Sequence, residues 1–230
     1  MAMGVHEGHR ERLKATFSEH GLDSFNELNA LELLLFYAIP RKDTNPVAHA
    51  LLDKFGSLSA VFDASMRELL EVPGIGESAA GLIRLIPQIF KKSQIGRAEE
   101  IKQIRNSSDA GKYLLPRFMN ERDEVVMALL LDAKKSAICC LEMGRGVVNT
   151  VDTSVRRIVE AALKNKASSV ILAHNHPDGI ALPSREDDYF TKSLYKALEI
   201  VGIRLSDHLI VSGDEFVSMA DSGVMNLYRY

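Results

Sequence analysis

The sequence is short of several features that mark particular classes of protein. It has no uninterrupted run of about eighteen apolar residues, which excludes a standard membrane-spanning helix. The opening residues, MAMGVHEGHRERLK, contain no apolar signal core, so we expect a cytoplasmic protein without a membrane partner. The net charge is only −3, whereas a protein held on nucleic acid by its overall charge would be far more basic.

Cysteine is also scarce, since the 230 residues include only two. Cys139 and Cys140 are adjacent within a segment that has the pattern of a strand, so their side chains should point to opposite faces. Such a pair is not expected to form a structural disulfide. We interpret both as core or interface residues without a catalytic role.

The most informative stretch is ILAHNHPDGIALPSRED, residues 171–187. His174 and His176 are two residues apart at the end of an apolar run that predicts a buried strand, so both imidazoles point to the same face. Ser184 opens a polar stretch that predicts a helix start, and Asp187 then lies in the first turn. Two imidazoles and one carboxylate form a three-ligand set, which leaves the fourth position of a zinc ion open for water.

This spacing matches a known signature in full. His174-x-His176, then seven residues, Ser184, two residues and Asp187 is the signature of the JAMM (MPN+) metalloproteases. The sequence HNHPDG at residues 174–179, followed by PS at residues 183–184, resembles the RadC branch of that family, UPF0758. An isolated His-x-His pair is more often structural or exposed, and the complete spacing is what favours a metal site.

The resemblance implies one zinc ion per chain, bound by His174, His176 and Asp187. It also implies that Glu124, which opens a predicted strand, takes the proton of the zinc-bound water and passes it to the leaving amine. Ser184 would donate a hydrogen bond to the oxyanion of the tetrahedral intermediate. The residues alone favour plainer roles, with Glu124 as a polar residue at a strand edge and Ser184 as a helix cap.

Other residues near the motif bear on the site. Asp178 stands where the RadC branch usually has serine, and residues 155–157, Val-Arg-Arg, stand in a predicted turn where it usually has Pro-Arg-Glu. Neither change removes a ligand. We expect Asn175 to point away from the metal and to hold backbone. Asp207 and His208 resemble a pair that RadC-like chains carry, and we interpret His208 as a fold residue or as a partner of a metal ligand.

The N-terminal part contains a second motif, Pro-Gly-Ile-Gly at residues 73–76, which resembles a helix-hairpin-helix. The sequence FGS at residues 55–57 resembles the degenerate first hairpin of a tandem pair. Glycines allow a tight turn whose free amides can bind a DNA phosphate oxygen. Candidate DNA contacts are Gly74, Gly76, Lys91 and Lys92, and residues 84–117 contain eight basic side chains against three acidic ones. Glu77 beside the glycines favours the alternative, a structural or protein-binding hairpin.

These patterns predict two domains. A small all-α domain with the helix-hairpin-helix occupies residues 1–100, and a zinc domain occupies residues 107–230. The polar, weakly patterned residues 93–106 contain the linker, which we place at 101–106. The zinc domain is of the α/β class, a mixed α+β sheet as in JAMM/MPN-like and cytidine-deaminase-like folds. Its predicted strands are 124–132, 136–143, 146–152, 169–173 and 203–212, and its predicted helices are 110–119, 156–166 and 188–201.

Three functional hypotheses follow. The first is a RadC-like zinc metallopeptidase or isopeptidase, with DNA-associated proteins as one candidate substrate class. A ubiquitin-type substrate is disfavoured because helical pattern follows Asp187 directly, without a long inserted segment. The second is a DNA-binding or DNA-repair-associated protein that uses the hairpins, with the zinc site as a nuclease or structural element. The third is a scaffold with structural zinc, which the three-ligand set disfavours. Adjacent sheet edges also favour a homodimer.

Overall fold

The structure is a computed structural model, which describes residues 5–146, 151–177 and 179–229. The chain separates into two compact units, Met1–Phe90 and Lys91–Tyr230. Each unit buries its own set of apolar side chains. Within the described ranges, no helix is both long enough and apolar enough to cross a membrane.

Helices make up the first unit. They are α1 Val5–His20, α2 Glu27–Ala38, α3 Asn45–Phe55, α4 Leu58–Asp63, α5 Met66–Leu70 and the first part of α6 Glu77–Ala98. Leucines at helical spacing, such as Leu31 and Leu35 of α2, are fully buried in the cluster that also contains Leu51 and Ile83. Side chains that accept hydrogen bonds from backbone amides cap α2, α4 and α5, namely Asn26, Ser57 and Ser65.

The turn between α5 and α6 contains the glycines of the predicted hairpin. Gly74 has a φ angle of +90°, and a Cβ added there would lie 2.7 Å from Cγ2 of Val47. A Cβ added at Gly76, directly before α6, would meet nothing within 4 Å. Two helices joined by a tight glycine turn are therefore present as predicted, and only Gly74 requires glycine for both backbone and packing.

The second unit is a mixed sheet covered by helices, which confirms the predicted fold class. Its elements are α7 Ser107–Phe118, β1 Val125–Leu131, β2 Ala137–Arg145, α8 Val151–Lys164, β3 Ser169–Asn175, α9 Arg185–Ile200, β4 Arg204–Ser212, β5 Glu215–Ser218 and a 3-10 helix, Val224–Arg229. The five strands lie in the order β2-β1-β3-β4-β5. The β3–β4 pair is parallel, and the other pairs are antiparallel.

Alternation along the strands gives the sheet two apolar faces. On the first face, Leu172 of β3 belongs to a cluster with Ile158 of α8 and Leu194 of α9. On the second face, Ile171 belongs to a cluster with Leu114 of α7. All residues of β3 are buried, as expected for a central strand covered on both sides. The last residues of β3 and the start of α9 meet on the first face, and this junction positions the candidate site.

The two cysteines follow the same alternation. Both are free thiols, and Cys139 packs against the cluster on the first face whereas Cys140 packs against the cluster on the second. Their predicted orientation to opposite faces is confirmed.

Two predicted segments differ from the structure. Residues 93–98 of the predicted linker region belong to α6, because this polar segment stays helical as far as Ala98, whose side chain is buried. The strand predicted over residues 146–152 is wrong at its end, since Val151 already belongs to α8, and residues 147–150 lie outside the described residues. Val155 and Ile158 face the sheet cluster at helical spacing, and this tertiary packing favours a helix over residues 155–158.

The early start of α8 also changes the place of one segment singled out near the site. Residues 155–157 lie inside α8 and not in the turn before it. Asp178 lies outside the described residues. Strand β5 and the final 3-10 helix were not predicted, because both are short and lack a strong period.

Candidate metal centre

Three side chains with electron-pair donors meet where β3 ends. Nε2 of His174 lies 2.9 Å from Nε2 of His176 and 3.0 Å from Oδ1 of Asp187. Nε2 of His176 lies 3.5 Å from Oδ2 of Asp187. The histidines come from the end of β3, and Asp187 comes from the first turn of α9. The structure therefore brings together all the ligands that the sequence predicted.

The bond on the far side of the His176 ring shows where its proton lies. Nδ1 of His176 is 3.2 Å from the carbonyl oxygen of Ile180, and a carbonyl can only accept, so Nδ1 carries the hydrogen. In the neutral ring, Nε2 then presents a lone pair to the centre. A metal ion placed between this lone pair and the carboxylate would be attracted to both.

The carboxylate is fixed by the start of its own helix. Burial raises the pKa of Asp187, but the adjacent imidazole of His174 and hydrogen bonds from Ser184 outweigh it and hold the pKa well below its usual value. Oδ2 accepts from both the amide and the hydroxyl of Ser184, each at 2.7 Å. In return, Oγ of Ser184 accepts from the amide of Asp187. This capping box orients Asp187 and confirms that Ser184 starts the helix.

The spacing of the two imidazoles and the carboxylate is compatible with a shared metal ion, since one donor atom from each side chain lies within 4.8 Å of the other two. Ligands bound to zinc at about 2.0–2.1 Å lie about 3.3 Å apart in a tetrahedron. The two imidazole nitrogens lie 2.9 Å apart, Nε2 of His174 lies 3.0 Å from Oδ1 of Asp187, and Nε2 of His176 lies 3.5 Å from the other carboxylate oxygen, Oδ2, so each separation is close to that value. The side chains of His174, Asp187 and His176 are 4%, 14% and 24% exposed, so the centre opens to solvent on the His176 side. The site can therefore hold zinc or a similar divalent ion with one position left for water.

His174 is tied to a buried histidine on the opposite side of the centre. Its Nδ1 lies 2.8 Å from Nε2 of His208, and Nδ1 of His208 lies 2.6 Å from Oγ1 of Thr191. His208 and Thr191 are both completely covered by the fold. Burial lowers the pKa of His208 well below its ordinary value, so the ring is neutral. His208 thus contacts a ligand of the centre, which agrees with its interpretation as a partner of a metal ligand.

Glu124 lies immediately before β1. Its side chain is exposed, and among the described residues no side chain forms an ion pair or hydrogen bond with its carboxylate. The antiparallel register that pairs Val126 with His174 brings Glu124 opposite His176 when it is continued by two residues. Residues directly opposite in a ladder share a face, so a continued pairing would put Glu124 on the same face as both histidines.

Asn175 holds the backbone on both sides of Glu124. Its Oδ1 accepts a hydrogen bond of 2.7 Å from the amide of Val125, and its Nδ2 donates to the carbonyl oxygen of Asp123 at 3.0 Å. The carbonyl of Glu124 itself accepts from the amide of Gly146. The side chain of Asn175 therefore continues the β1–β3 pairing beyond its last regular pair and fixes the position from which Glu124 projects.

The four candidate DNA contacts differ in their surroundings. Gly74 and Gly76 lie exposed in the hairpin turn, and Lys92 is exposed on α6. Lys91 forms an ion pair of 2.5 Å with Glu121, which also pairs with Arg145. Since its charge is already compensated, Lys91 is a weaker candidate for a phosphate contact than Lys92.

Sequence reasoning did not find Thr191. No motif includes it, yet it lies four residues after Asp187, one helical turn further along the same face of α9. A polar residue at that spacing, within an otherwise apolar face, was the signal that could have identified it.

The comparisons with known proteins agree with this fold and site. The sequence model of the RadC-like JAB domain matches residues 104–224. A UPF0758 protein of Fusobacterium nucleatum subsp. nucleatum is 34% identical over 226 residues, which cover 95% of this chain and 97% of that protein. A UPF0758 protein of Bordetella petrii is 34% identical over 220 residues, which cover 96% of each chain.

The mixed sheet and its His-His-Asp cluster thus define a domain of the JAB type, a class that is typically metal-binding. Within that class, this chain belongs to the RadC-like family, UPF0758.

Proposed function

We propose that this protein is a zinc-dependent hydrolase of amide bonds, a peptidase or isopeptidase. The proposal rests on one observation, the convergence of two imidazoles and an ionised carboxylate on a single point that is open to solvent on one side. Membership of the RadC-like JAB family supports metal-dependent hydrolysis in general terms. Zinc and an amide substrate are the finer parts of the proposal.

A divalent ion held by His174, His176 and Asp187 would supply a water of lowered pKa and a Lewis acid for the scissile carbonyl. In this proposal Glu124 takes the proton from that water and returns it to the leaving amine. Its position opposite His176 in the continued register supports this role.

Ser184 donates a hydrogen bond to the oxyanion of the substrate in the same proposal. Its hydroxyl currently bonds to Oδ2 of Asp187, and that oxygen keeps the amide of Ser184 as a donor when the hydroxyl turns away. The exchange therefore leaves the carboxylate supported while it frees a donor beside the open side of the centre.

Metal content tests the site itself. We expect about one zinc ion per wild-type chain by elemental analysis, loss of the metal in Asp187→Asn, and retention in Glu124→Gln. Glu186→Gln is the matched control, since it removes a negative charge from the same exposed turn of α9 without contacting the ligands. A wild-type protein that takes up no metal after zinc is added would exclude the proposal.

Activity tests the chemistry. Zinc-loaded wild type is assayed on a library of quenched fluorescent peptides, including lysine-linked isopeptides. Where cleavage occurs, Glu124→Gln should lower kcat by about 100- to 10,000-fold with KM little changed, because the lost group acts in proton transfer. Equal turnover by Glu124→Gln and wild type would remove Glu124 from the mechanism.

DNA binding by the hairpin is the second candidate function. The turn with Gly74 at φ +90° and exposed backbone at the start of α6 favours it. Binding to a fluorescent duplex is measured between low and physiological salt, with Lys92→Gln beside Lys91→Gln. A phosphate contact at Lys92 lowers affinity and reduces the salt slope by about one, whereas Lys91→Gln has the smaller effect. Absence of binding at low salt would reject this function.

A further inference from the structure

The buried side of the metal centre continues through two residues that the proposed chemistry does not use. Thr191 of α9 and His208 of β4 connect the ring of His174 to the backbone of Asp187. The chain of contacts therefore begins at one ligand and ends at another. All of its side chains are buried, so no water competes for these hydrogen bonds.

The direction of each hydrogen bond follows from the last acceptor. Oγ1 of Thr191 lies 2.5 Å from the carbonyl oxygen of Asp187, which can only accept, so the hydroxyl donates there. The sulfur of Met219 is a weaker acceptor for the same hydroxyl, at 3.6 Å. Because the hydroxyl hydrogen is already donated to Asp187, Oγ1 can only accept a hydrogen bond from His208. His208 therefore carries its hydrogen on Nδ1.

The position of the hydrogen on His174 follows from that on His208. A neutral imidazole has a single N–H, so Nε2 of His208 is an acceptor. Nδ1 of His174, 2.8 Å away, must then be the donor. This leaves the lone pair of His174 on Nε2, the atom that faces His176 and Asp187.

We propose that Thr191 and His208 are positioning residues that fix the tautomer of His174, so that its Nε2 lone pair always faces the metal. The inference rests on the metal site of the proposed function. Metal-binding histidines commonly donate their other N–H to a fixed partner, and loss of that partner costs about 10- to 100-fold in metal affinity. Here the partner is itself a histidine, whose own tautomer is set by the threonine hydroxyl.

Removal of the Thr191 hydroxyl should reverse the tautomers of both His208 and His174. In Thr191→Val, Nδ1–H of His208 has no acceptor in a fully buried position, which favours transfer of the hydrogen to Nε2. Nε2–H of His208 would then face Nδ1–H of His174, and relief of that conflict moves the hydrogen of His174 to Nε2. A hydrogen on Nε2 occupies the position where the metal has to bind.

The experiment measures zinc affinity by competition with a chromophoric chelator in four proteins. They are wild type, Thr191→Val, Thr191→Ser and Ser193→Ala. Ser193 is the matched control, because its hydroxyl donates to the carbonyl of Tyr189 on the same helix but is exposed and remote from the centre. We expect Thr191→Val to bind zinc about 10- to 100-fold more weakly, while Thr191→Ser and Ser193→Ala stay within about threefold of wild type.

A second measurement needs no variant. In the imidazole ¹⁵N–¹H spectrum of the zinc-loaded wild-type protein, His174 and His208 should both carry their hydrogens on Nδ1. Hydrogens on Nε2 of either ring would overturn the proposal even if Thr191→Val failed to fold.

The outcomes separate the two proposals. A wild-type protein without zinc affinity overturns both. If wild type and Thr191→Val bind zinc equally, the positioning role of Thr191 and His208 is refuted while the proposed hydrolase stands. A fall in the melting temperature of metal-free Thr191→Val with unchanged zinc affinity also refutes this positioning role, because the hydroxyl would then contribute only to the stability of the fold.

Discussion

Replacement of Asn175 by alanine should destabilise the second unit and disturb Glu124 at the same time. Asn175 is only 4% exposed, and its amide group bonds to backbone on both sides of Glu124. Alanine keeps the strand but removes both bonds. The amide of Val125 is then left buried without an acceptor, because the regular β1–β3 pairing ends at Val126.

The magnitude follows from the two bonds. A buried amide without a partner costs about 1–3 kcal/mol, and loss of the half-buried bond to Asp123 costs about 0.5–1.5 kcal/mol. The expected loss of unfolding free energy is therefore about 2–4 kcal/mol. With a urea dependence of about 2 kcal/mol per molar, the unfolding midpoint should fall by about 1–2 M.

Tyrosine fluorescence during urea unfolding reports mainly on the second unit, to which Asn175 belongs. The chain has no tryptophan, and five of its six tyrosines lie after residue 90. Asn165→Ala is the control, since it also loses one side-chain bond to backbone, at the end of α8, but leaves no buried donor behind. Its midpoint should fall by less than about 0.5 M. Equal midpoints for the two variants would refute the reasoning.

The same variant separates stability from chemistry. The hydrogen bonds of the Asn175 side chain go to Val125 and Asp123 and not to a ligand of the centre, so folded Asn175→Ala should keep its zinc, whereas release of residues 123–125 should lower kcat on a cleaved peptide. Zinc content and turnover are measured on the same preparation. Loss of zinc in parallel with activity would mean that Asn175 supports the ligands and not Glu124.

Three further predictions test other parts of the chain. Gly74→Ala should destabilise the first unit by about 1–3 kcal/mol, because φ is +90° and the Cβ would lie 2.7 Å from Val47, whereas Gly76→Ala should have little effect in the same thermal unfolding measurement. Burial raises the pKa of Cys140 from 9.0 to about 11, so in Cys139→Ser the remaining thiol should react with a disulfide reagent at pH 8 about 100-fold more slowly when folded than in denaturant, and equal rates would contradict this. Zinc at a thousandfold excess over its Kd should stabilise the metal-free protein by about 4 kcal/mol, and an unchanged melting temperature would contradict binding to the native state.

The parts of the site that sequence could predict are those encoded by local spacing. His174 and His176 share a face because a strand alternates, and Ser184 and Asp187 form a capping box because they lie three residues apart at a helix start. Each of these relations spans a few residues. Period and capping chemistry were therefore sufficient to place them.

The contacts that sequence could not predict join distant segments. Asn175 meets Asp123 across 52 positions, and His174 meets His208 across 34. Both depend on strand order and register, which no local pattern determines. The helix over residues 155–157 has the same origin, since Val155 and Ile158 pack against the sheet that α8 covers.

The centre has two sides with different physical character, and this difference predicts how variants should divide. Its inner side consists of His174, His208 and Thr191, which are buried and joined by directional hydrogen bonds. Its outer side contains Glu124, whose side chain is exposed and has no hydrogen bond or ion pair among the described residues. Changes on the inner side should therefore appear as lost zinc affinity, since the ligand loses its orientation before any substrate binds. Changes on the outer side should leave zinc in place and appear only in turnover, so the two classes can be told apart by metal content alone.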